Sequence, residues 1–137
     1  MKCFIKYLIL LIIGGASYYL IEVFARGFSH WTMFLVGGIC FILVGIINEI
    51  TPKMPLIRQM VLSMVIITAV EFFCGCVLNL WLGLNIWDYT DEFGNFLGQI
   101  CVKHTIYWFL LSSIGIILDD YIRYFLFCEE RPKYRIL

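Results

Sequence analysis

Residues 68–100 read TAVEFFCGCVLNLWLGLNIWDYTDEFGNFLGQI, and this stretch decides how the chain is organised. Its first half is mostly apolar and predicts one half of a transmembrane helix, with Glu71 near the middle of the span. Residues 83–99, which we call the connecting segment, are too polar and too aromatic to form another span. We therefore expect the connecting segment to lie on one membrane surface or to enter the membrane as a re-entrant segment.

The composition of the whole chain is that of a membrane protein. Of its 137 residues, 62% are hydrophobic and 15% are charged, whereas a soluble domain has about 25% charged residues. The apolar residues form long runs, which predicts an all-α transmembrane bundle in a single domain, residues 1–137. The formal net charge is zero, so we expect the lipid bilayer and no nucleic acid among the partners.

Four hydrophobic runs predict four transmembrane helices, at about residues 4–24, 31–50, 56–82 and 100–127. Pro52 and Pro55 interrupt the chain between the second and third helices, because proline breaks a continuing helix. Ser29 is the predicted N-cap of the second helix. Four spans place both termini on the same side of the membrane.

The basic residues are distributed unevenly between the two sides. Eight fall on the side of the termini: Lys2, Lys6, Lys53, Arg58, Arg123, Arg131, Lys133 and Arg135. The other side has Arg26 and Lys103. Because basic residues are retained on the cytoplasmic side, this asymmetry predicts cytoplasmic N- and C-termini.

Glu71 is the main candidate for a site within the bundle. Burying a carboxylate at membrane depth costs free energy, so such a residue suggests a functional role. Thr68 and Asn79 fall on the same face of the third helix, and Ser112 and Glu22 are candidates on other helices. One interpretation is a proton- or cation-linked pathway through these five residues. The other is a structural hydrogen bond from Glu71 to Ser112 or its neighbour Ser113. Glu22 can also pair with Arg26 four residues later.

Charged residues also gather at the predicted cytoplasmic ends of the helices. This predicted cytoplasmic cluster contains Glu49, Lys53, Arg58, Asp119, Asp120 and Arg123. Adjacent helical positions point about 100° apart, so Asp119 and Asp120 should face different neighbours. The cluster is interpreted either as an ion-pair network between helix ends or as a gate or docking surface for a soluble partner.

The connecting segment carries the remaining candidates: Trp87, Asp88, Tyr89, Asp91, Asn95 and Gly98, followed by His104 at the start of the fourth helix. Trp and Tyr prefer the membrane interface, which favours a surface anchor or a lid. Carboxylate and amide oxygens in one loop can also bind a hard cation, although the spacing is not that of an EF-hand. Close to a helix N-terminus, a neutral His104 could accept a proton or simply form an interfacial hydrogen bond.

No catalytic or nucleotide-binding motif is present. The chain lacks G-x-S-x-G, H-E-x-x-H and the P-loop. The six cysteines do not show zinc-type spacing, and Cys74 and Cys76 point to different sides of a helix. We therefore expect no enzymatic activity, no cofactor and no resident metal.

Several short patterns together resemble a known family. They are Ile21-Glu22, Arg26-Gly27, His30-Trp31, Asn48-Glu49, Glu71-Phe72, Gly75, and the block from Trp87-Asp88-Tyr89 through Asn95 to Gly98-Gln99-Ile100-Cys101. The chain is similar in most of its length to the small bacterial membrane proteins described as putative ABC-transporter type IV. The resemblance implies a multi-pass protein of the bacterial inner membrane that belongs to a transport system, and it implies a separately encoded ATPase as a partner.

The favoured hypothesis is a permease-like or channel-like transport component. Because four helices enclose little volume, we expect it to need a homo-oligomer or partner subunits. Its site would include Glu71, with the connecting segment as a lid. The alternative is a non-transporting scaffold or accessory subunit of a larger membrane complex.

Overall fold

The computed structural model describes residues 1–137 and contains four long helices. They are α1 (Lys2–Arg26), α2 (Trp31–Ile50), α3 (Leu56–Gly75), which a π-helical turn (Cys76–Trp81) extends, and α4 (Val102–Phe127). Each of the four is long and apolar enough to cross a membrane. The chain forms no strand beyond one isolated bridge between Phe96 and Ile100. The predicted all-α, four-helix membrane bundle is therefore confirmed.

Small residues allow α1 and α2 to pack closely as an antiparallel pair. A Cβ atom at Gly37 would lie 2.8 Å from Cγ of Tyr18, and a Cβ at Gly14 would overlap the Phe41 ring. Close backbone approach at glycine is the usual way in which membrane helices associate, because lipid provides no hydrophobic force between them. The second pair, α3 and α4, packs against α2.

The turn between α1 and α2 differs from the predicted one. Helix α1 ends at Gly27, which has φ 81°, and its N–H bonds to the Val23 carbonyl at 2.8 Å. The N-cap of α2 is His30, whose Nδ1 accepts from Thr32 N at 3.3 Å. The prediction that Ser29 is the N-cap is wrong, because its hydroxyl instead donates to Glu22 Oε2 at 2.7 Å.

The third span changes its winding at its end. After Gly75 the backbone forms a π-helical turn, in which Leu82 N donates to the Val77 carbonyl at 2.9 Å. A π-helical turn accommodates an extra residue and is frequent at functional sites. Asn79 in this turn is buried, so the turn brings a polar side chain into the protein just before the connecting segment begins.

Both termini lie at the same end of the bundle, which we call the termini end. The C-terminal tail, residues 128–137, returns to the start of α3. There the carbonyls of Arg135 and Ile136 accept from Leu56 N at 2.7 Å and Ile57 N at 3.3 Å. The first N–H groups of a helix have no partner within it, so the tail satisfies two of them.

Candidate functional site

Glu71 is buried and both of its carboxylate oxygens are hydrogen-bonded. The Tyr89 hydroxyl donates to Oε1 at 3.0 Å, and the Trp108 indole N–H donates to Oε2 at 2.9 Å. One donor comes from the connecting segment and the other from α4. No lysine or arginine forms an ion pair with Glu71. The carboxylate is thus held between neutral donors, which join the third span, the fourth span and the connecting segment.

The predicted serine partners of Glu71 are wrong. Ser112 donates to the Phe109 carbonyl and Ser113 to the Leu110 carbonyl, each at 2.7 Å. Both bonds are made to the preceding turn of α4, which is a common alternative for serine in an apolar helix. Ser112 lines the same cavity as Glu71 without bonding to it. The hydroxyl of Thr68, another predicted pathway residue, is buried without a hydrogen-bond partner.

The connecting segment is fixed to the π-helical turn through Asn79. The Asn79 amide donates to Gln99 Oε1 at 2.8 Å, and its oxygen accepts from Ile86 N at 2.7 Å. The Trp87 indole N–H donates to the Gln99 carbonyl at 3.0 Å. These buried bonds tie the two ends of the connecting segment to each other and to the third span.

Gly75 makes this contact sterically feasible. A Cβ atom at Gly75 would lie 2.6 Å from Gln99 Oε1 and 3.0 Å from Cζ2 of Trp87. Any larger residue would therefore push the connecting segment away from α3. The site depends on a glycine on the Glu71 face of the helix, one turn beyond the carboxylate.

Tyr89 also contacts the start of α4. Its ring stacks on His104 with centroids 4.1 Å apart and planes 12° from parallel. His104 Nδ1 lies 3.0 Å from the Cys101 thiol. Burial, together with the negative charge of Glu71, raises the pKa of the Tyr89 phenol, so this hydroxyl remains a donor at neutral pH.

The end of α1 supports the other side of the connecting segment. Arg26 Nη2 donates to the Ile86 carbonyl at 2.7 Å, and Nη1 pairs with Glu22 Oε1 at 3.2 Å. The predicted pairing of Glu22 with Arg26 is confirmed. Glu22 is paired with a cation and Glu71 is not, so the two carboxylates lie in different electrostatic environments.

The polar tip of the connecting segment uses its side chains to form its own turns. Asp88 accepts from both the N–H and the hydroxyl of Thr90, and these bonds lower the pKa of its carboxyl. Asn95 Nδ2 donates to the carbonyls of Thr90 at 2.9 Å and Glu92 at 3.0 Å. Asp91 is exposed. No three His, Cys, Asp or Glu side chains of the chain converge as a metal site would require.

Gly98 closes this loop in a conformation that other residues rarely adopt. Its φ is 69°, and its carbonyl accepts from Tyr89 N at 2.8 Å. A Cβ atom at Gly98 would also lie 2.8 Å from the Thr90 hydroxyl. Glycine at this position therefore allows the loop to return and places Tyr89 over Glu71.

A cavity of about 130 Å³ lies in the bundle beside Glu71. All four helices and Trp87 of the connecting segment contribute to its walls, which are almost entirely apolar. Glu71 is the only charged residue among those that line it, and Tyr18, Trp87 and Trp108 provide aromatic rings. The cavity therefore combines one carboxylate with several aromatic surfaces in an otherwise apolar space.

A second polar site lies at the termini end. Arg123 is buried, and its Nε donates to Asp119 Oδ2 at 2.7 Å. Arg123 also pairs with Glu49, and Lys6 bonds to Glu49 at 2.7 Å and to Glu129. We call Lys6, Glu49, Asp119, Arg123 and Glu129 the termini-end network.

Asp120 has other partners, as expected for adjacent helical positions. Asn48 Nδ2 donates to its Oδ1 at 2.7 Å, and the Tyr134 hydroxyl to its Oδ2 at 2.9 Å. Lys53 and Arg58 are exposed and form no ion pair, so the structure does not bring them into the network.

Several residues of both sites were not identified from the sequence as site residues. Trp108 was not predicted as a partner of Glu71. Lys6 was identified only as one of the basic residues, and Glu129 and Tyr134 were not identified. The long sequence separation of these contacts, for example between Lys6 and Glu129, leaves no local signal.

Comparison with known families agrees with the fold and the motifs. The family described as "Putative ABC-transporter type IV" matches residues 4–129. No curated protein and no solved structure matches the chain. The match includes the Glu71 site and the termini-end network, and it ends before Tyr134 and the rest of the tail. The chain therefore belongs to the putative ABC-transporter type IV family and is a multi-pass membrane protein related to transport.

Proposed function

We propose that this protein is a permease-like or channel-like transmembrane component of a transport system, with Glu71 as its proton- or cation-linked group. The observation that carries the proposal is a carboxylate without a cationic partner at the wall of a cavity in the bundle. Intramembrane acids are costly and commonly mark substrate or ion pathways. The connecting segment acts as a lid over this site, because Tyr89 and Trp87 both contact it.

The chain requires further subunits for transport. Four helices enclose little volume, so a complete pathway needs a homo-oligomer or a partner membrane subunit. The protein itself has no catalytic role, and a separately encoded ATPase would provide the energy. Its docking surface would be the termini end, where a polar cavity of about 460 Å³ has Glu49, Asp120 and Arg123 among its lining residues.

The proposed location is the bacterial inner membrane, with both termini in the cytoplasm. Eight of the ten basic residues belong to the termini end or the tail, and the remaining two, Arg26 and Lys103, lie at the opposite end. This distribution follows the positive-inside rule. In this orientation a soluble ATPase could reach the termini-end network.

A non-transporting scaffold or accessory subunit is the second candidate function. One observation favours it: each oxygen of Glu71 already accepts a hydrogen bond from a neutral donor. A carboxyl group satisfied in this way can serve to hold three segments together. In that case water would have no access to it.

Infrared difference spectroscopy of the protein in nanodiscs distinguishes the two functions. Glu71→Gln identifies the Glu71 carboxyl band by subtraction, and the band is followed during a pH titration and after transfer to heavy water. For the transport component we expect the band to titrate and to shift in heavy water. A band that neither titrates nor shifts supports the scaffold and contradicts the transport proposal.

A further inference from the structure

The cavity beside Glu71 reaches the lipid-facing surface between α1 and α4. These two helices touch near both ends of the gap. The rings of Tyr18 and Trp108 have centroids 5.8 Å apart, and the Arg123 guanidinium lies 6.0 Å from the Tyr7 ring. Ile114, which lines the cavity, is 64% exposed, and Leu118, which also lines it, is 38% exposed. The cavity is therefore open sideways, toward the acyl chains of a bilayer.

Gly115 of α4 lines this cavity and has no packing partner. The six other helical glycines, Gly14, Gly15, Gly37, Gly38, Gly45 and Gly75, all face atoms that an added Cβ would overlap. An added Cβ at Gly115 would meet nothing within 4 Å. Glycine destabilises a helix relative to alanine, and contacts within this chain do not explain its presence here. Because glycine has no side chain, the cavity wall at this position has space for a bound molecule that is not part of the chain.

The chemistry of the cavity walls defines what could occupy it. Tyr18, Trp87 and Trp108 line the cavity together with the single carboxylate of Glu71. Aromatic faces attract organic cations, and a desolvated site strengthens this attraction. A carboxyl group without a paired cation adds electrostatic complementarity to the same ligand when it is ionised. The volume of about 130 Å³ is close to that of cavities of about 150 Å³ that bind benzene, so it holds one group of that size, and the rest of a larger ligand would extend through the sideways opening.

We propose that this cavity is a binding site for a hydrophobic organic cation, which enters sideways from the bilayer between α1 and α4. The ligand would be an ammonium compound with an apolar body about as large as a benzene ring. Its cationic group would contact Glu71 and the aromatic rings, and its apolar body would lie beside Gly115. Calling this ligand a transported substrate rests on the proposed function, whereas the binding site does not.

Binding of benzyltrimethylammonium to the protein in nanodiscs tests the proposal. Neopentylbenzene is its neutral isostere, since carbon replaces the charged nitrogen. Trp31 and Trp81 are 67% and 80% exposed, so Trp31→Phe and Trp81→Phe leave only the two cavity tryptophans to report binding by fluorescence. Empty nanodiscs correct for partition of either compound into lipid.

We expect saturable binding of the cation, at least about tenfold tighter than that of the isostere, which corresponds to about 1.4 kcal/mol. Glu71→Gln should weaken binding of the cation toward that of the isostere and leave binding of the isostere unaffected. Gly115→Phe should abolish binding of both compounds. Leu110→Phe is the matched control, because Leu110 is 57% exposed on the same helix and does not line the cavity.

Equal affinities for cation and isostere, or an unchanged cation affinity in Glu71→Gln, would overturn the proposal. It would also be overturned if the wild type bound neither compound and Gly115→Phe lowered the oligomeric mass. A second copy of the chain would then occupy the gap in the wild type. If Gly115→Phe does not fold, Glu71→Gln alone decides. If the cation binds in a Glu71-dependent way but the Glu71 carboxyl band neither titrates nor shifts in heavy water, only the transport role is contradicted. A titrating band without cation binding contradicts only the ligand assignment.

Discussion

The hydroxyl of Tyr89 donates a 3.0 Å hydrogen bond to Glu71 Oε1, across 18 positions of sequence. This contact joins the connecting segment to the carboxylate in α3. The same tyrosine stacks on His104 of α4. A single side chain thus links the segment between two spans to both of them, and movement of the connecting segment would necessarily change the environment of Glu71.

Tyr89→Phe should destabilise the protein while preserving the ring stack. The variant removes one donor from a buried carboxylate, and an unsatisfied buried group costs about 1–3 kcal/mol, or more when charged. The measurement is unfolding in mixed micelles with increasing dodecyl sulfate. Tyr107→Phe is the control, since Tyr107 is 50% exposed and also contacts His104. Equal losses of stability in the two variants would contradict a structural role for the Tyr89–Glu71 bond.

Glu71→Gln should fold, whereas Glu71→Leu should be strongly destabilised. A glutamine can direct its oxygen to Trp108, which only donates, and its amide group to Tyr89, whose hydroxyl can also accept. Leucine leaves both donors without acceptors, at about 1–3 kcal/mol each. Thermal unfolding in detergent should therefore rank the wild type and Glu71→Gln close together and Glu71→Leu far below. A similar loss in both variants would mean that the negative charge itself stabilises the fold.

The number of spans was predictable because an apolar run of about 20 residues has few alternatives to crossing a membrane. Glu71 was also identifiable, since its chemical cost in lipid does not depend on the fold. Its partners were not, because they depend on how far α4 is rotated and where the connecting segment returns. The serines of α4 illustrate the difference: they bond to their own helix, and the indole of Trp108 reaches Glu71 instead.

The π-helical turn was also beyond prediction. The sequence from Cys76 to Trp81 has the apolar character of an ordinary helix, and Asn79 within this turn bonds to Gln99, 20 positions away, and to Ile86 N. Ser29 provides a similar case. Its residue type predicts an N-cap, but a hydrogen bond to Glu22 on the preceding helix takes its hydroxyl. Both differences arise where tertiary contacts compete with local preference.

Asn79→Ala should loosen the connecting segment without unfolding the bundle. The variant removes the bonds to Gln99 and to Ile86 N. Cys101 at the end of this region is 2% exposed, so its reaction with a membrane-impermeant maleimide reports opening. In a chain with Cys101 as its only cysteine, we expect labelling to become about tenfold faster, the effect of about 1.4 kcal/mol.

The matched control for this experiment is Leu80→Ala, which changes a residue that is 55% exposed in the same turn. It should not alter the labelling rate. If Asn79→Ala and Leu80→Ala label at the same rate, Asn79 does not hold the connecting segment closed.

Gly45→Ala should destabilise the protein, whereas Gly115→Ala should not. A Cβ atom at Gly45 would lie 2.6 Å from Cγ of Asp119, and Asp119 is fully buried and bonded to Arg123. Removing one partner of a buried ion pair typically costs about 3–5 kcal/mol. Because the added methyl group would displace Asp119 from Arg123, we expect a loss of stability that approaches this range. Gly115→Ala meets no atom and should be neutral or gain up to about 1 kcal/mol from helix propensity.

Unfolding of both glycine variants in mixed micelles compares them directly. Each substitution adds the same methyl group to a transmembrane helix, so lipid and propensity effects largely cancel. If both variants lose stability equally, the space beside Gly115 is filled in the folded protein, and the contrast between the two glycines is not real.

Tyr134→Phe should release the C-terminal tail from the termini end. The Tyr134 hydroxyl donates to Asp120 Oδ2 at 2.9 Å, next to the two backbone bonds from the start of α3 to the tail. Without that bond, trypsin should cleave after Lys133 and Arg135 faster than in the wild type. Tyr124→Phe is the control, because Tyr124 lies on α4 itself and not in the tail. Equal cleavage rates in wild type and Tyr134→Phe would show that the backbone bonds alone hold the tail.

The same contact should depend on pH in the alkaline range. Burial and the bond to Asp120 raise the pKa of the Tyr134 phenol above its ordinary value of 10.0. Since the docked tail favours the neutral phenol, its contribution is complete below about pH 10 and is lost as the pH rises toward the raised pKa. Ultraviolet titration of tyrosinate, as the difference between wild type and Tyr134→Phe, should give a midpoint clearly above 10. A midpoint at the ordinary value would mean that the tail does not dock on Asp120.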